Sequence, residues 1–412
     1  MTDADPAPAA ETLRSSRAFW IVWLASAVST LGDGLRYVAF PLLAAGLTSD
    51  PRAVAVVFAA GYLPWPLFGL LGGAIVDRHD LRTVMWGTDT ARAVTVAAFT
   101  FVLISSNGTI AALAILSFLL GTAETLFDNA ASAIVPQVVS PGGFERANSW
   151  LLGVQTLNTT LIGAPLGAAL YALARWLPLA ADAVTFAAAA ALVWSLPGRY
   201  RPGTRTQRTT LAADIATGLS WLRRHQFLHT ACLLLIVVNS TLAAAEAVLV
   251  LYSRQTLGLS NYGYTALLVT LAVGGIAGTV IAPTLRRWIG LRPLMIASAI
   301  GQAVALLAAG LTSKVPIAVA AMAIVGASNA AWNVVTISYR QAAVPGELLG
   351  RVTSSYSVVA LSAMPIGAAA GGVIAHQWGL HAPYLTGGLA LTVATLLALK
   401  WLNDPAQKIS DR

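Results

Sequence analysis

"PGRYRPGTRTQRTTLAADIATGLSWLRRHQF", Pro197 to Phe227, is the longest polar segment of the chain and lies near its middle. Its first part is rich in Pro, Gly, Thr and Arg and reads as a connection between folded parts. In its second part Leu211, Ile215, Leu219 and Leu222 recur at helical spacing, which predicts an amphipathic helix on a membrane surface; a plain solvated linker is the alternative. Outward from this segment the chain is almost unrelievedly apolar. Hydrophobic residues make up 57% and charged residues 10% of the sequence, against about 25% charged in soluble domains. An integral membrane protein follows. The first apolar run, Ala18 to Leu47, is too long for the apolar region of a removable leader and reads as a membrane helix.

Twelve spans can be drawn, at 18–46, 53–76, 83–105, 109–136, 147–173, 179–196, 229–253, 263–285, 291–311, 315–339, 352–375 and 382–402. Each is near the ~20 residues that cross a hydrocarbon core, the sixth being slightly short. The polar segment therefore divides six spans from six. With the N-terminus inside, only Arg52, Arg175, Arg254 and Lys314 fall outside and only Arg36 and Arg92 within helices, which leaves nineteen of the 25 basic residues on the inner side. That asymmetry places both termini in the cytoplasm and the chain in the cell inner (plasma) membrane. The expected division is a tail at 1–17, a six-helix bundle at 18–196, a linker at 197–227, a second bundle at 228–402 and a tail at 403–412. The net charge of +8 is thus a matter of topology and points to no nucleic acid.

The halves align at a constant shift of 205 residues, pairing Gly69 with Gly274, Gly73 with Gly278, Arg82 with Arg287, Gly121 with Gly326, Arg146 with Arg351 and Gly167 with Gly372. Parallel six-helix repeats imply a transporter whose substrate site lies near the midplane. An intramembrane enzyme would need a catalytic set, and the sequence has no H-E-x-x-H, no G-x-S-x-G and no phosphate-binding P-loop. Its single cysteine, Cys232, supports neither an internal disulfide nor a cysteine metal site, and no cofactor is expected.

"GGAIVDRHDLRTVM", Gly72 to Met85, resembles the loop signature of the major facilitator superfamily, with Gly73, Asp77, Arg78 and Arg82 in the matching places. Asp80 stands where that superfamily has glycine, and Leu81 where it has a basic residue. "LGDGLRYVAFPLL" in span 1, "ERANS" at Glu145 to Ser149 and "GLSWLRRHQFL" after the linker are similar to its drug and macrolide efflux branch, which also holds enterobactin exporters. The resemblance implies an all-α membrane protein of twelve transmembrane helices in two six-helix bundles, the major facilitator fold. It implies export of a drug-like or natural-product small molecule by proton antiport with alternating access, and a conformational latch formed by Gly73, Asp77, Arg78, Arg82 and Asp128. Where many drug antiporters carry an arginine in span 4, Ser117 stands before Gly121. In span 5, "GAPLGAAL" at Gly163 to Leu170 matches their glycine-and-proline signature only in part. An uptake symporter shares the fold and is the alternative; a sensor or scaffold is another.

Within the spans the ionisable residues carry the functional reading, because a charge at the bilayer centre costs roughly 2.5–3.5 kcal/mol on insertion scales. Arg36 follows Asp33 by three residues, so the two share a helix face and can neutralise each other. Asp33, Arg36 and Glu124 form the expected proton-coupling set, with a static ion pair as the competing reading. Asp89 and Arg92, also three apart, are expected to satisfy one another. Asp182, near the outer end of span 6, is expected to meet interfacial water. The substrate pocket is drawn from Tyr37, Glu124, Asn239, Glu246, Asn329, Trp332 and Asn333, the last three on one face of span 10. Amides beside an aromatic ring, with acids opposite, suit an amphiphilic molecule. The expected partners are that molecule, protons and the lipid bilayer, with the chain acting as a monomer.

Overall fold

The computed structural model describes residues 16–76, 78–105, 108–201 and 211–402. Asp77 of the expected latch, most of the two tails and residues 202–210 of the linker lie outside the described residues. Among those residues there is no strand. The first helices are α1 (Arg17–Leu47), α2 (Pro51–Tyr62), α3 (Pro64–Val76), α4 (Leu81–Ile104), α5 (Ile110–Val138), α6 (Phe144–Thr156), α7 (Gly163–Leu173) and α8 (Leu177–Trp194). After the connection come α9 (Leu211–Arg224), α10 (Gln226–Leu251), α11 (Asn261–Ile289), α12 (Leu291–Leu311), α13 (Val315–Ala343), α14 (Gly346–Trp378) and α15 (Ala382–Ala398). Ten stretches among the described residues are long and apolar enough to cross a membrane, and Ala382–Ala398 is a shorter apolar helix. The remaining expected span, the fifth, is present as α6 and α7 joined by a π-helical stretch, Leu157–Ile162.

Proline explains that interruption. The ring of Pro165 crowds the carbonyl four residues earlier and removes an amide donor, and a widened turn relieves both conflicts. The Gly163 N–H accordingly reaches back five residues to the Asn158 carbonyl. Span 2 is divided in the same manner, α2 ending at Tyr62 just before the Pro-Trp-Pro of Pro64 to Pro66.

By internal contacts the chain falls into two compact units, the first being Met1–Ala39, Phe68–Asn107 and Thr122–Arg205, the second Phe40–Leu67, Gly108–Gly121 and Thr206–Arg412. In the first, α4 lies along α8, and Phe19, Val22, Leu81, Met85, Phe127, Ile134 and Val193 form the core. In the second, α11 packs on α13, α10 on α14 and α12 on α13 and α15. There α2 rests on α10 and α14, with Ala55 against Ala243, Ala247 and Ala368. Such small residues let backbones approach closely, which is how helices associate without a hydrophobic drive. Asp50 caps α2, and the hydrogen bond from Arg52 holds its carboxyl below the usual carboxylate range.

The repeat is unequal in its packing. Gly274, Gly278 and Gly326 sit so close to Ala323, Ala327 and Leu271 that an added Cβ would fall on their backbones. At their counterparts Gly69 and Gly73 an added Cβ would meet no described atom within 4 Å. The predicted linker helix is present as α9, whose Gly218 packs onto the Arg351 backbone and whose Leu222 is buried.

Around Asp33 the glycines have a direct packing role. A Cβ on Gly34 would lie 2.8 Å from the Thr159 carbonyl oxygen and 2.9 Å from the Gly163 Cα, and one on Gly167 would lie 2.9 Å from the Leu35 Cα. Helix α1 therefore approaches α7 and the π stretch through backbone, and the Asn158 amide donates to the Ala27 carbonyl at 2.7 Å to fix the register. Gly34→Ala is expected to cost about 1–3 kcal/mol as an overpacking change. A lowered melting temperature of the detergent-purified protein checks this, and an unchanged one would show that the close approach is dispensable.

Candidate functional site

The first unit gathers five carboxyls and two guanidinium groups. From α1, the Arg36 Nη2 donates to the Asp33 Oδ1 at 2.6 Å and to the Glu124 Oε2 of α5 at 3.3 Å. On α4, the Arg92 Nη1 meets the Asp89 Oδ1 at 3.4 Å, and the Ser29 hydroxyl of α1 donates to the same oxygen at 3.3 Å. The Arg92 guanidinium is also held between the rings of Phe127 and Phe186, 5.4 and 5.1 Å from their centroids. Both expected i,i+3 pairs are therefore formed, and Arg36 additionally bridges to a second helix. Glu124 is the most open of the first group, its side chain 31% exposed against 14% for Asp33 and 11% for Arg36.

Asp128 lies one helical turn from Glu124 on α5. Arg82 does not reach it: that guanidinium donates to the carbonyls of Trp194 and Gly198, tying the start of α4 to the end of α8. Arg78 is exposed, and Gly73 lies in the last turn of α3, where an added Cβ would meet nothing within 4 Å. Asp80 replaces the superfamily's glycine for a visible reason, since its carboxylate caps α4 by accepting the N–H groups of Arg82 at 3.0 Å and Thr83 at 3.4 Å.

Asp182 corrects the reading of span 6. It is 0% exposed, and neither carboxyl oxygen has a hydrogen-bond partner among the described residues. Its carboxyl occupies the place where a Cβ of Gly32 would stand. Position along the span suggested the surface, but a missing side chain on α1 makes the room that buries it.

In the second unit Glu246 and Asn329 line a cavity of about 200 Å³ with Leu242, Leu271, Gly275, Val325, Gly326 and Ala330. Asn333 is exposed and donates to the Asn329 side-chain oxygen at 3.2 Å. Trp332 does not share that face. It is 1% exposed within the core formed with Phe227, Val335 and Tyr356, and stands about 100° around the helix from its exposed neighbour Asn333. Asn239 is likewise engaged in packing, its amide donating to the Ala360 carbonyl at 2.9 Å and joining α10 to α14. Tyr37 is half-buried on α1, next to Arg36. Among the described residues no group of acids, histidines and cysteines is arranged to hold a metal ion.

Apolar helices of spanning length around an enclosed set of carboxyls and arginines define a polytopic membrane transporter. The chain belongs to the transmembrane secretion effector family, MFS_3, whose model matches residues 10–409. It is similar to the multidrug efflux pump Tap of Mycolicibacterium fortuitum, 25% identical over 391 residues that cover 92% of this chain and 94% of that protein. It is also similar to macrolide efflux protein A of Streptococcus pyogenes, 22% identical over 390 residues that cover 94% and 96%. The crystal structure of the nucleoside transporter NupG superposes with a TM-score of 0.73 at 12% identity, covering 94% of this chain and 100% of that one, which shows the major facilitator fold.

Proposed function

We propose that the protein is a secondary active exporter of a small amphiphilic molecule, a drug or natural product, driven by proton entry. The observation that carries this reading is a charge imbalance in a buried place. Asp33 and Glu124 pair with Arg36 and Asp89 with Arg92, while Asp182 is buried with no hydrogen-bond partner among the described residues and Asp128 lies one turn from Glu124, so five carboxyls stand against two arginines. Isolated ionised carboxylates are too costly to keep in such surroundings, so protons must reside among them. Relatives named as multidrug and macrolide efflux pumps support export as the direction.

In this reading Asp33 is the principal proton carrier, Arg36 its counter-charge, and Glu124 the acid that meets the aqueous cavity. Tyr37, Glu124, Glu246 and Asn329 face the substrate, while Asn239 and Trp332 hold the helices that present it. The bundles 18–196 and 228–402 alternate in access, with Gly73, Asp77, Arg78 and Arg82 latching one state. The chain works as a monomer in the plasma membrane with both termini inside, the orientation the basic residues support.

Cells expressing the protein are expected to accumulate less ethidium, a lipophilic cation, than cells without it, and an uncoupler should abolish the difference. Higher accumulation in expressing cells would establish uptake instead. Export that survives the uncoupler would remove the proton from the mechanism.

A further inference from the structure

We propose that Asp182 is a second proton-holding carboxyl, which alternates with Asp33 as the partner of the Arg36 guanidinium. The inference rests on the antiport reading and adds to it a residue of α8, outside the set of Asp33, Arg36 and Glu124. Asp182 is wholly buried, and neither of its carboxyl oxygens has a hydrogen-bond partner among the described residues. Thr185, the nearest hydroxyl, donates to the Asp182 backbone carbonyl at 2.7 Å and not to the carboxyl. A carboxylate so placed lacks every compensation that makes a buried charge tolerable, so the group stands there as the neutral acid.

Its position on α1 connects it to Arg36. The carboxyl abuts Gly32, four residues before Arg36 and therefore on the same helix face. Helical side chains lean toward the N-terminus, so the Arg36 side chain extends back over the turn that contains both Gly32 and Asp33. From one Cα, Arg36 covers two carboxyls, of which it holds one. The charged groups around Asp182 are Asp33 and Arg36 from α1, Asp89 and Arg92 from α4 and, through Arg36, Glu124 of α5. Helix α7 brings no charged side chain. Arg92 is committed to Asp89 and its two rings, while Arg36, bonded to Asp33 and Glu124, stands on the α1 face that Asp182 abuts, so Arg36 is the cation whose change of partner reaches Asp182.

The exchange balances. When Arg36 swings to Asp182, the proton leaves that carboxyl and the resulting carboxylate accepts the guanidinium. Asp33, released, takes up one proton. One O–H bond breaks and one forms, the cluster's net charge is unchanged, and no further reactant is needed. Helix α8 is thereby drawn into the proton path, and the change of the cation's partner from Asp33 to Asp182 is the discrete step that an access change can follow.

Infrared difference spectroscopy of the purified protein in H2O and D2O reads buried protonated carboxyls without any transport assay. Asp182→Asn is expected to remove one such carbonyl band at neutral pH while the resting protein folds normally, a carboxamide being close in size to a neutral acid. Retention of every band would overturn the proposal. A folding failure of Asp182→Asn alongside a well-folded Asp182→Glu would also overturn it, because it would show that the resting group is an ionised partner. In proteoliposomes the Asn variant should lose ethidium export driven by a pH gradient yet keep ethidium exchange, and Asp182→Glu should restore part of the driven export. Full driven export by Asp182→Asn would reject the alternation. A wild-type protein that exports ethidium with no dependence on the pH gradient would defeat the antiport reading instead, and the infrared bands would still decide whether Asp182 holds a proton.

Discussion

Asp33→Asn is expected to reduce pH-gradient-driven ethidium uptake into everted vesicles to the level of vesicles without the protein, while exchange of ethidium down its own gradient persists. Asparagine keeps the size of the side chain and can still accept from Arg36, but it cannot titrate. Arg36 retains Glu124, to which it already donates at 3.3 Å, so the guanidinium is not stranded and the fold should survive. A static structural pair gives the opposite pattern: the variant would be lost to misfolding, and a neutral double replacement of Asp33 and Arg36 would recover folded protein, since the unpaired buried charge is the expensive state. Driven uptake at the wild-type level, normalised to folded protein, would remove Asp33 from the coupling and transfer the role to Glu124.

The largest expected effect on stability belongs to the other pair. Arg92 and Asp89 are 1% and 0% exposed at the side chain, separated by 3.4 Å, and neither has access to water. Arg92→Leu leaves the Asp89 carboxylate with only the Ser29 hydroxyl and should cost about 3–5 kcal/mol, the usual effect of breaking a buried pair from one side. Adding Asp89→Asn should restore most of the loss, because two neutral side chains leave no buried charge. The yield of monodisperse protein after detergent extraction and its melting temperature measure both steps. A single Arg92→Leu variant as stable as the wild type would mean that Asp89 is neutral at rest and that Arg92 serves packing alone.

Much of this architecture was legible in the sequence, and for identifiable reasons. Bilayer thickness sets span length, so spans could be drawn to within a few residues of helices such as Leu81–Ile104 and Leu291–Leu311. The pairs Asp33–Arg36 and Asp89–Arg92 were legible because an i,i+3 spacing fixes a shared helix face. What joins different helices was not. The bridge from Arg36 to Glu124 depends on how α1 and α5 pack, which no spacing records. Asp182 was misplaced because its depth along α8 was read without the glycine opposite; Gly32, directly before Asp33 in "LGDGLR", was the available sign that another helix's side chain enters there.

Residue type alone says less at Asn239 and Trp332, where a hydrogen bond to the Ala360 carbonyl and packing into the core are the contacts formed. Asp80 departs from the superfamily pattern, and its capping of α4 is a local role that the residue's position immediately before the helix already indicates. The interruption of span 5 could have been anticipated from Pro165, since a proline inside a helical pattern conflicts with the preceding turn.

Proton movement against substrate movement is the most direct test of the account. Purified protein in liposomes preloaded with ethidium and a pH-sensitive dye, with no initial pH difference and the membrane potential clamped, should show a proton flux opposite in direction to the ethidium flux and starting with it. The account predicts counterflow that is absent from liposomes bearing Asp33→Asn. Proton flux in the same direction as ethidium, or ethidium flux with no proton flux at all, would contradict it.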